Sequence, residues 1–158
     1  MRESKPEFKS NMKFEGGGNI AIIVAKWNAN FNEEMFLSVK DTLKTSGIKE
    51  SDISRFEVPG AFEMPLICMH LAASESYDAI ICLGTIIKGD TYHFEIVANE
   101  SARGIMDIML SSGIPIINGI LACNTSEEAE IRASRQKENK GRELALSCLE
   151  TLKTIDLI

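Results

Sequence analysis

The chain predicts an α/β protein: a four-stranded parallel sheet covered by helices on both faces, three layers in all. Three observations carry this. Strand-length segments at Ile20–Ala25, Ile53–Val58, Ala79–Leu83 and Pro115–Leu121 alternate with segments of helical periodicity. Two of them, Ile20-Ala21-Ile22-Ile23-Val24-Ala25 and Ala79-Ile80-Ile81-Cys82-Leu83, are apolar without interruption, as strands buried on both faces of a parallel sheet are. The sequence between strands is long enough for crossover helices and shows no internal repeat.

Taken in order, residues 1–18 are polar, end in Gly16-Gly17-Gly18 and read as a flexible arm, or as a segment ordered only against a neighbouring subunit. Residues 19–158 read as one domain. After the first strand and Lys26-Trp27-Asn28-Ala29-Asn30, a helix from Phe31 or Asn32 to Ser46 puts Met35, Phe36, Val39 and Leu43 on one face and stops at Gly47. The second strand meets Pro59-Gly60. A second helix spans about Ala61 to Ala73, with Pro65 tolerable in its first turn, where an N–H has no intrahelical partner. The third strand runs into the stretch Gly84 to Glu95. A long helix from about Tyr92 to Ser112 turns Val97, Ile105, Ile108 and Met109 inward and ends at Gly113. Beyond the fourth strand, Thr125-Ser126-Glu127-Glu128 resembles a capping box opening a helix to about Arg135. A last helix, about Asn139 to Lys153, carries the stripe Leu144, Leu149, Leu152.

The bulk composition bounds the function. With 158 residues and 44% hydrophobic content the chain can bury a single core. A net charge of −6, a pI near 5.0 and no dense run of Lys and Arg argue against nucleic acid as a partner. Cys68, Cys82, Cys123 and Cys148 are widely spaced and form no CxxC or Cys/His pair, so they read as buried reduced thiols of a cytoplasmic protein without a metal site. No apolar run approaches the roughly 18 residues of a membrane span, and Met1-Arg2-Glu3-Ser4-Lys5-Pro6 is not a signal peptide.

In an open parallel sheet ligands bind beyond the carboxyl ends of the strands, which directs attention to Trp27-Asn28, Pro59 to Glu63, Lys88 to His93 and the segment past Gly119. Gly89-Asp90-Thr91 leads into a helix, an arrangement that offers free backbone N–H groups to an anion. His93 on the first helical turn can move a proton beside it. Trp27, the sole tryptophan, either stacks on a planar ring or caps the core. Glu63 either accepts hydrogen bonds from a ligand or stabilises the helix terminus. Arg132, Arg135, Lys137, Lys140 and Arg142 make a loosely basic zone that reads as a solvated face. His70 lies in an apolar helix and reads as packing or surface. Nothing indicates the desolvated pocket that would make Lys88 a Schiff-base nucleophile.

Together these segments resemble the 6,7-dimethyl-8-ribityllumazine synthases, from about Asn19 to Ile155. The specific parts are Val58-Pro59-Gly60-Ala61-Phe62-Glu63, the stretch Gly84-x-x-Ile87-Lys88-Gly89-Asp90-Thr91-x-His93-Phe94, and Asn139-Lys140-Gly141 with Arg132 upstream. The resemblance implies a flavodoxin-like fold and the penultimate step of riboflavin biosynthesis. In that step 5-amino-6-(D-ribitylamino)uracil condenses with 3,4-dihydroxy-2-butanone 4-phosphate, releasing phosphate and water, with no cofactor or metal. By the same resemblance Trp27 and Asn28 would hold the pyrimidine, and Ala61, Phe62 and Glu63 the uracil and ribityl chain. Ile87, Lys88, Asn118 and Lys140 would complete the substrate-binding set. Gly89, Asp90 and Thr91 would form the phosphate cradle, closed by Arg132 of an adjacent subunit, and His93 would move protons.

The family forms homopentamers that sometimes close into shells of 60 subunits, and the compact junction from Arg132 to Gly141 resembles that of shell-forming members. The chain departs from the family pattern at Gln136, where lysine is common, at Glu138, where glycine is common, and at Asn118, where an aromatic residue is frequent. None of the three is a residue assigned to the chemistry. The alternative reading is a non-catalytic relative that binds a flavin or lumazine, or that builds a shell.

Overall fold

The computed structural model describes residues 6–8 and 13–158. Among them four strands form one all-parallel sheet in the order β2-β1-β3-β4, with β1 Ile20–Ala25, β2 Ile53–Val58, β3 Ala79–Ile87 and β4 Ile116–Cys123. The helices are α1 Ala29–Thr45, α2 Met64–Ala73, α3 His93–Ser112, α4 Ser126–Ala133 and α5 Lys140–Ile155, with short 3-10 turns at Glu50–Asp52 and Ala61–Glu63. This is the expected three-layer α/β fold, of flavodoxin-like architecture.

Side-chain alternation along the strands divides the core in two. Ile20, Ile22, Val24, Ile81 and Leu83 point to one face, where α1, α4 and α5 cover them with Met35, Val39, Leu43, Ala129, Leu144, Cys148 and Leu149. Ala21, Ile23, Ile80 and Cys82 point to the other, against Met64, Cys68 and Leu71 of α2 and Ile105 of α3. The central strands are buried along both faces, which is why their sequence is apolar without alternation.

Several boundaries differ from those expected, each for a local reason. Helix α1 starts at Ala29, because Asn28 takes the left-handed conformation at φ 58°, ψ 42° and turns the chain in one residue. The helix expected from Ala61 is split. Pro65 has no N–H to give the Ala61 carbonyl, which instead accepts from Met64 in a 3-10 turn, and the α-helix begins one turn later. Strand β3 continues through Gly84 to Ile87, since β4 pairs with it as far as Ile87–Cys123. Gly84 is there for close approach rather than for a turn: a Cβ would lie 3.2 Å from the Met64 methyl. Strand β4 likewise runs on to Cys123. Helix α4 stops at Ala133, two residues early, where Ser134 leaves helical geometry and its carbonyl takes the N–H groups of Lys137 and Asn139. The expected capping box is half made: Thr125 Oγ1 accepts from Glu128 N at 3.2 Å, but the Glu128 carboxylate reaches the Asn124 N–H.

The arm expected over residues 1–18 falls partly outside the described residues. Within them, Phe14 is buried in the main core and its N–H donates to the Ser46 carbonyl at 2.7 Å. The interface between α1 and α5 is close at Gly141, where a Cβ would come within 2.5 Å of the Met35 carbonyl oxygen. Among the described residues no helix is long and apolar enough to cross a membrane.

Candidate active site

Strand order reverses between β1 and β3, because the chain leaves β1 toward β2 on one side and returns to place β3 on the other. The loops after these strands therefore diverge and leave a crevice. A cleft of about 440 Å³ opens there, lined by Trp27, Asn28, Gly60, Ala61, Phe62, Glu63, Thr85, Ile86, Ile87, His93 and Val97.

Each wall is set by the sheet. Beyond the ends of β1 and β2 the ladder continues through Lys26 N to Val58 O at 2.9 Å and Trp27 N to Pro59 O at 3.1 Å. This brings the β1 and β2 loops side by side, with the indole edge against Gly60. Trp27 is 75% exposed, too open to be a core cap, and it offers an uncovered ring face. Phe62 is also exposed, and Ala61 is buried beneath. Glu63 Oε2 accepts from the Gly60 N–H at 2.9 Å and so holds the turn, while the residue also lines the cleft. Of the two roles open to Glu63 from sequence, this hydrogen bond displays the helix-terminus one.

Beneath Trp27 lies a buried polar chain. Asn32 is completely buried; its Nδ2 donates to the carbonyls of Ala25 and Trp27, both at 2.8 Å, and its Oδ1 accepts from Thr85 Oγ1 at 2.8 Å. Asn28 Nδ2 donates to the Thr85 carbonyl at 2.8 Å. Sequence reasoning did not single out Asn32 and Thr85, nor Ile86 and Val97 of the cleft wall. A signal for Asn32 existed: it falls three residues before Met35 and seven before Val39, a polar residue on the apolar stripe of α1.

His93 opens α3, exposed and on the cleft wall, and its backbone N–H meets Thr91 Oγ1 at 3.4 Å. Gly89, Asp90 and Thr91 form the exposed turn between β3 and α3 and do not line the cleft itself. Lys88 pairs with Glu95 at 3.3 Å and lies near the Phe94 ring, with its ammonium 5.9 Å from the centroid.

The remaining candidates lie elsewhere on the chain. Asn118 is exposed on edge strand β4, where its Oδ1 accepts from Ile120 N at 3.0 Å. Arg132 is exposed in the last turn of α4, on the other face of the sheet. It is near enough to Cys123 to oppose, in part, the upward shift that burial imposes on that thiol. Lys140 opens α5 and pairs with Glu143 at 3.0 Å. The structure thus gathers Trp27, Asn28, Ala61, Phe62, Glu63, Ile87 and His93 into one cleft and leaves Asn118, Arg132 and Lys140 outside it.

Fold and cleft define a doubly wound α/β protein with an open cleft at the switch point of its sheet. An uncovered indole, a carboxylate oxygen and an imidazole converge there. The family model described as 6,7-dimethyl-8-ribityllumazine synthase matches residues 17–156. Relatives carrying that name include one from Desulfotalea psychrophila, 40% identical over 97% of this chain and 99% of the relative. Another, from Stenotrophomonas maltophilia, is 37% identical over 94% of this chain and 96% of its own length, and one from Xanthomonas euvesicatoria is 41% identical over 87% and 90%. The chain belongs to the 6,7-dimethyl-8-ribityllumazine synthase family, transferases of riboflavin biosynthesis.

Proposed function

We propose that the protein condenses 5-amino-6-(D-ribitylamino)uracil with 3,4-dihydroxy-2-butanone 4-phosphate to 6,7-dimethyl-8-ribityllumazine. The observation that carries this is the convergence of Trp27, Glu63 and His93 on one cleft in a chain matched almost end to end by that family. The uracil ring stacks on Trp27, and the ribityl hydroxyls reach Glu63 Oε1. Asn28, Ala61, Phe62 and Ile87 line the ring's edge. The phosphate of the second substrate takes backbone N–H groups of Gly89, Asp90 and Thr91 at the start of α3, near Lys88.

Chemistry then needs proton movement more than covalent assistance. The 5-amino nitrogen attacks the ketone carbon, and water leaves as the imine forms. A proton leaves the adjacent carbon, the C–O bond to phosphate breaks and inorganic phosphate departs. The ribityl-bearing nitrogen then closes the second ring with loss of another water. His93, the imidazole on the cleft wall, accepts and returns protons through these steps near neutral pH. Docking both substrates supplies the rest by proximity. No cofactor enters this scheme.

The same reading makes the site a shared one. Arg132, Asn118 and Lys140 are outside their own chain's cleft, and we assign them to the cleft of a neighbour in a homopentamer, or in the 60-subunit shell built from pentamers. Arg132 there binds the phosphate through its planar fork. Exposed Leu66, Met69, Ile96, Met106 and Leu110 on α2 and α3 support association.

Mixing the two substrates with the protein tests the reaction: the lumazine chromophore is expected to appear faster than in the protein-free mixture. No rate above that background refutes the enzyme reading and favours a binding or shell protein. Co-expressing inactive His93→Gln and Arg132→Ala subunits tests the sharing. Mixed oligomers regain activity if one subunit supplies the histidine and its neighbour the arginine, and stay inactive if each cleft is self-contained.

A further inference from the structure

We propose that Asn32 and Thr85 form a positioning latch that holds Trp27 and Asn28 in the geometry for binding the planar substrate, without touching that substrate themselves. The inference rests on the reading of the cleft as a pyrimidine site.

The hydrogen-bond directions in the latch follow from chemistry alone. A backbone carbonyl only accepts, so the Asn32 group between the Ala25 and Trp27 carbonyls, 2.8 Å from each, is its NH2. Its other end is then the amide oxygen, and Thr85 Oγ1 at 2.8 Å must donate to it. The Asn28 group at the Thr85 carbonyl, also at 2.8 Å, is an NH2 for the same reason. Asn28 Oδ1 is left as that side chain's acceptor in the cleft, matched to an N–H on a bound ring. The chain runs in one sense from Thr85 to the Trp27 carbonyl, with every amide proton used in it directed by a fixed acceptor.

Position makes this chain a latch and not general core polarity. Asn32 is fully buried, and Thr85, though it lines the cleft, is 3% exposed with its hydroxyl proton committed to Asn32 Oδ1, so the pair's polar groups are spent on each other and on the backbone. Trp27 is 75% exposed and packs on little, so its backbone carbonyl is one of the few points at which the fold grips it. Asn28 sits at φ 58°, a left-handed conformation that a side-chain tie to β3 helps to hold. The latch thereby joins the loop after β1 to the end of β3, the two strands that flank the switch point.

The test uses the single tryptophan as a reporter. Thr85→Val removes the donor at nearly constant shape. It is expected to lower Trp27 fluorescence anisotropy and to raise acrylamide quenching in the substrate-free protein. The KM for the ribitylaminouracil is expected to rise about tenfold, while kcat and the KM for the butanone phosphate move less than about twofold. Thr85→Ser, which keeps the hydroxyl, restores both readouts, and Asn32→Ala gives the same split as Thr85→Val. In a Trp27→Ala background Thr85→Val has no further effect on pyrimidine KM. The latch is overturned if Thr85→Val lowers the melting temperature with Trp27 anisotropy and pyrimidine KM unchanged, or if both KM values rise alike. Should the wild type make no lumazine, the pyrimidine reading fails, while the anisotropy and quenching arms still decide whether Thr85 holds Trp27.

Discussion

Replacing Gly141 by alanine is a sharp test of how the α1–α5 layer is built, because two effects of opposite sign compete at one position. Helix propensity favours the change by at most about 1 kcal/mol, the value for a helix interior, since Gly141 is in the first turn of α5. Packing opposes it: the new Cβ would lie 2.5 Å from the Met35 carbonyl oxygen and 2.8 Å from Ser38 Cβ, parts of α1 that cannot rotate away. Ordinary contact begins near 3.4 Å, so the helices must part by about 0.9 Å (3.4 − 2.5). A gap of that size forfeits roughly a quarter to a half of each dispersion contact across the seam. Across that seam lie Val39 and Leu43 of α1 and Leu144, Cys148 and Leu149 of α5, all buried in one cluster. The shift also pulls on Asn139, which caps α5 and accepts from Ser38 Oγ at 2.5 Å. Overpacking costs about 1–3 kcal/mol, and rigid backbone on both sides puts this site at the upper end. Subtracting the propensity gain, about 3 − 1, leaves a net loss of about 2 kcal/mol, or a fall of about 4–8 °C in Tm. Differential scanning calorimetry at one fixed protein concentration measures it, since association would otherwise shift Tm. A Tm equal to or above that of the wild type refutes the close-approach argument.

Other expectations follow from single groups. Trp27→Ala raises the KM for the ribitylaminouracil by about ten- to a hundredfold, the loss of one aromatic stack, in steady-state assays. His93→Gln lowers kcat by about 10²–10⁴ in the same assays; an unchanged kcat would reassign the proton carrier. Hydrogen bonds from Lys40 and Lys44 hold the Glu50 carboxyl at about 2, below the carboxylate range of unfolded chains. Its contribution is therefore present above about pH 4.3 and disappears as pH falls through about 2. An NMR titration of Glu50 in wild type and in Lys40→Gln/Lys44→Gln checks this, and an ordinary midpoint in the wild type would contradict it. Burial pushes Cys148 up to about 12, and Cys123 upward too, while Cys82 is raised by its contact with the Cys68 thiol and by burial. All four cysteines should resist iodoacetamide at pH 8 in the native protein and react in denaturant, as mass spectrometry would count.

The layer order was legible because it depends on short-range patterns. The uninterrupted apolar runs of β1 and β3 and the stripes of α1 and α5 survive in one dimension, and so do Pro59-Gly60 and Gly113. Boundaries were less legible where a partner decides them. The strand expected to Leu83 extends to Ile87 because β4 lies alongside, a non-local fact. The cleft residues Trp27, Glu63 and His93 could be proposed from their places just after strands, since parallel topology directs those positions to one edge.

Asn32 illustrates what patterning hides. In α1 it interrupts an apolar stripe and looks like a flaw; in three dimensions its amide donates to two carbonyls, those of Ala25 where β1 ends and of Trp27 before the left-handed Asn28. A parallel strand that turns sharply into a helix can leave carbonyls without ladder partners, and one buried amide can donate to two of them and still accept from a hydroxyl, here that of Thr85. The same bend that exposes Trp27 thus creates the demand for Asn32. The exposed indole and the buried amide behind it are consequences of a single turn.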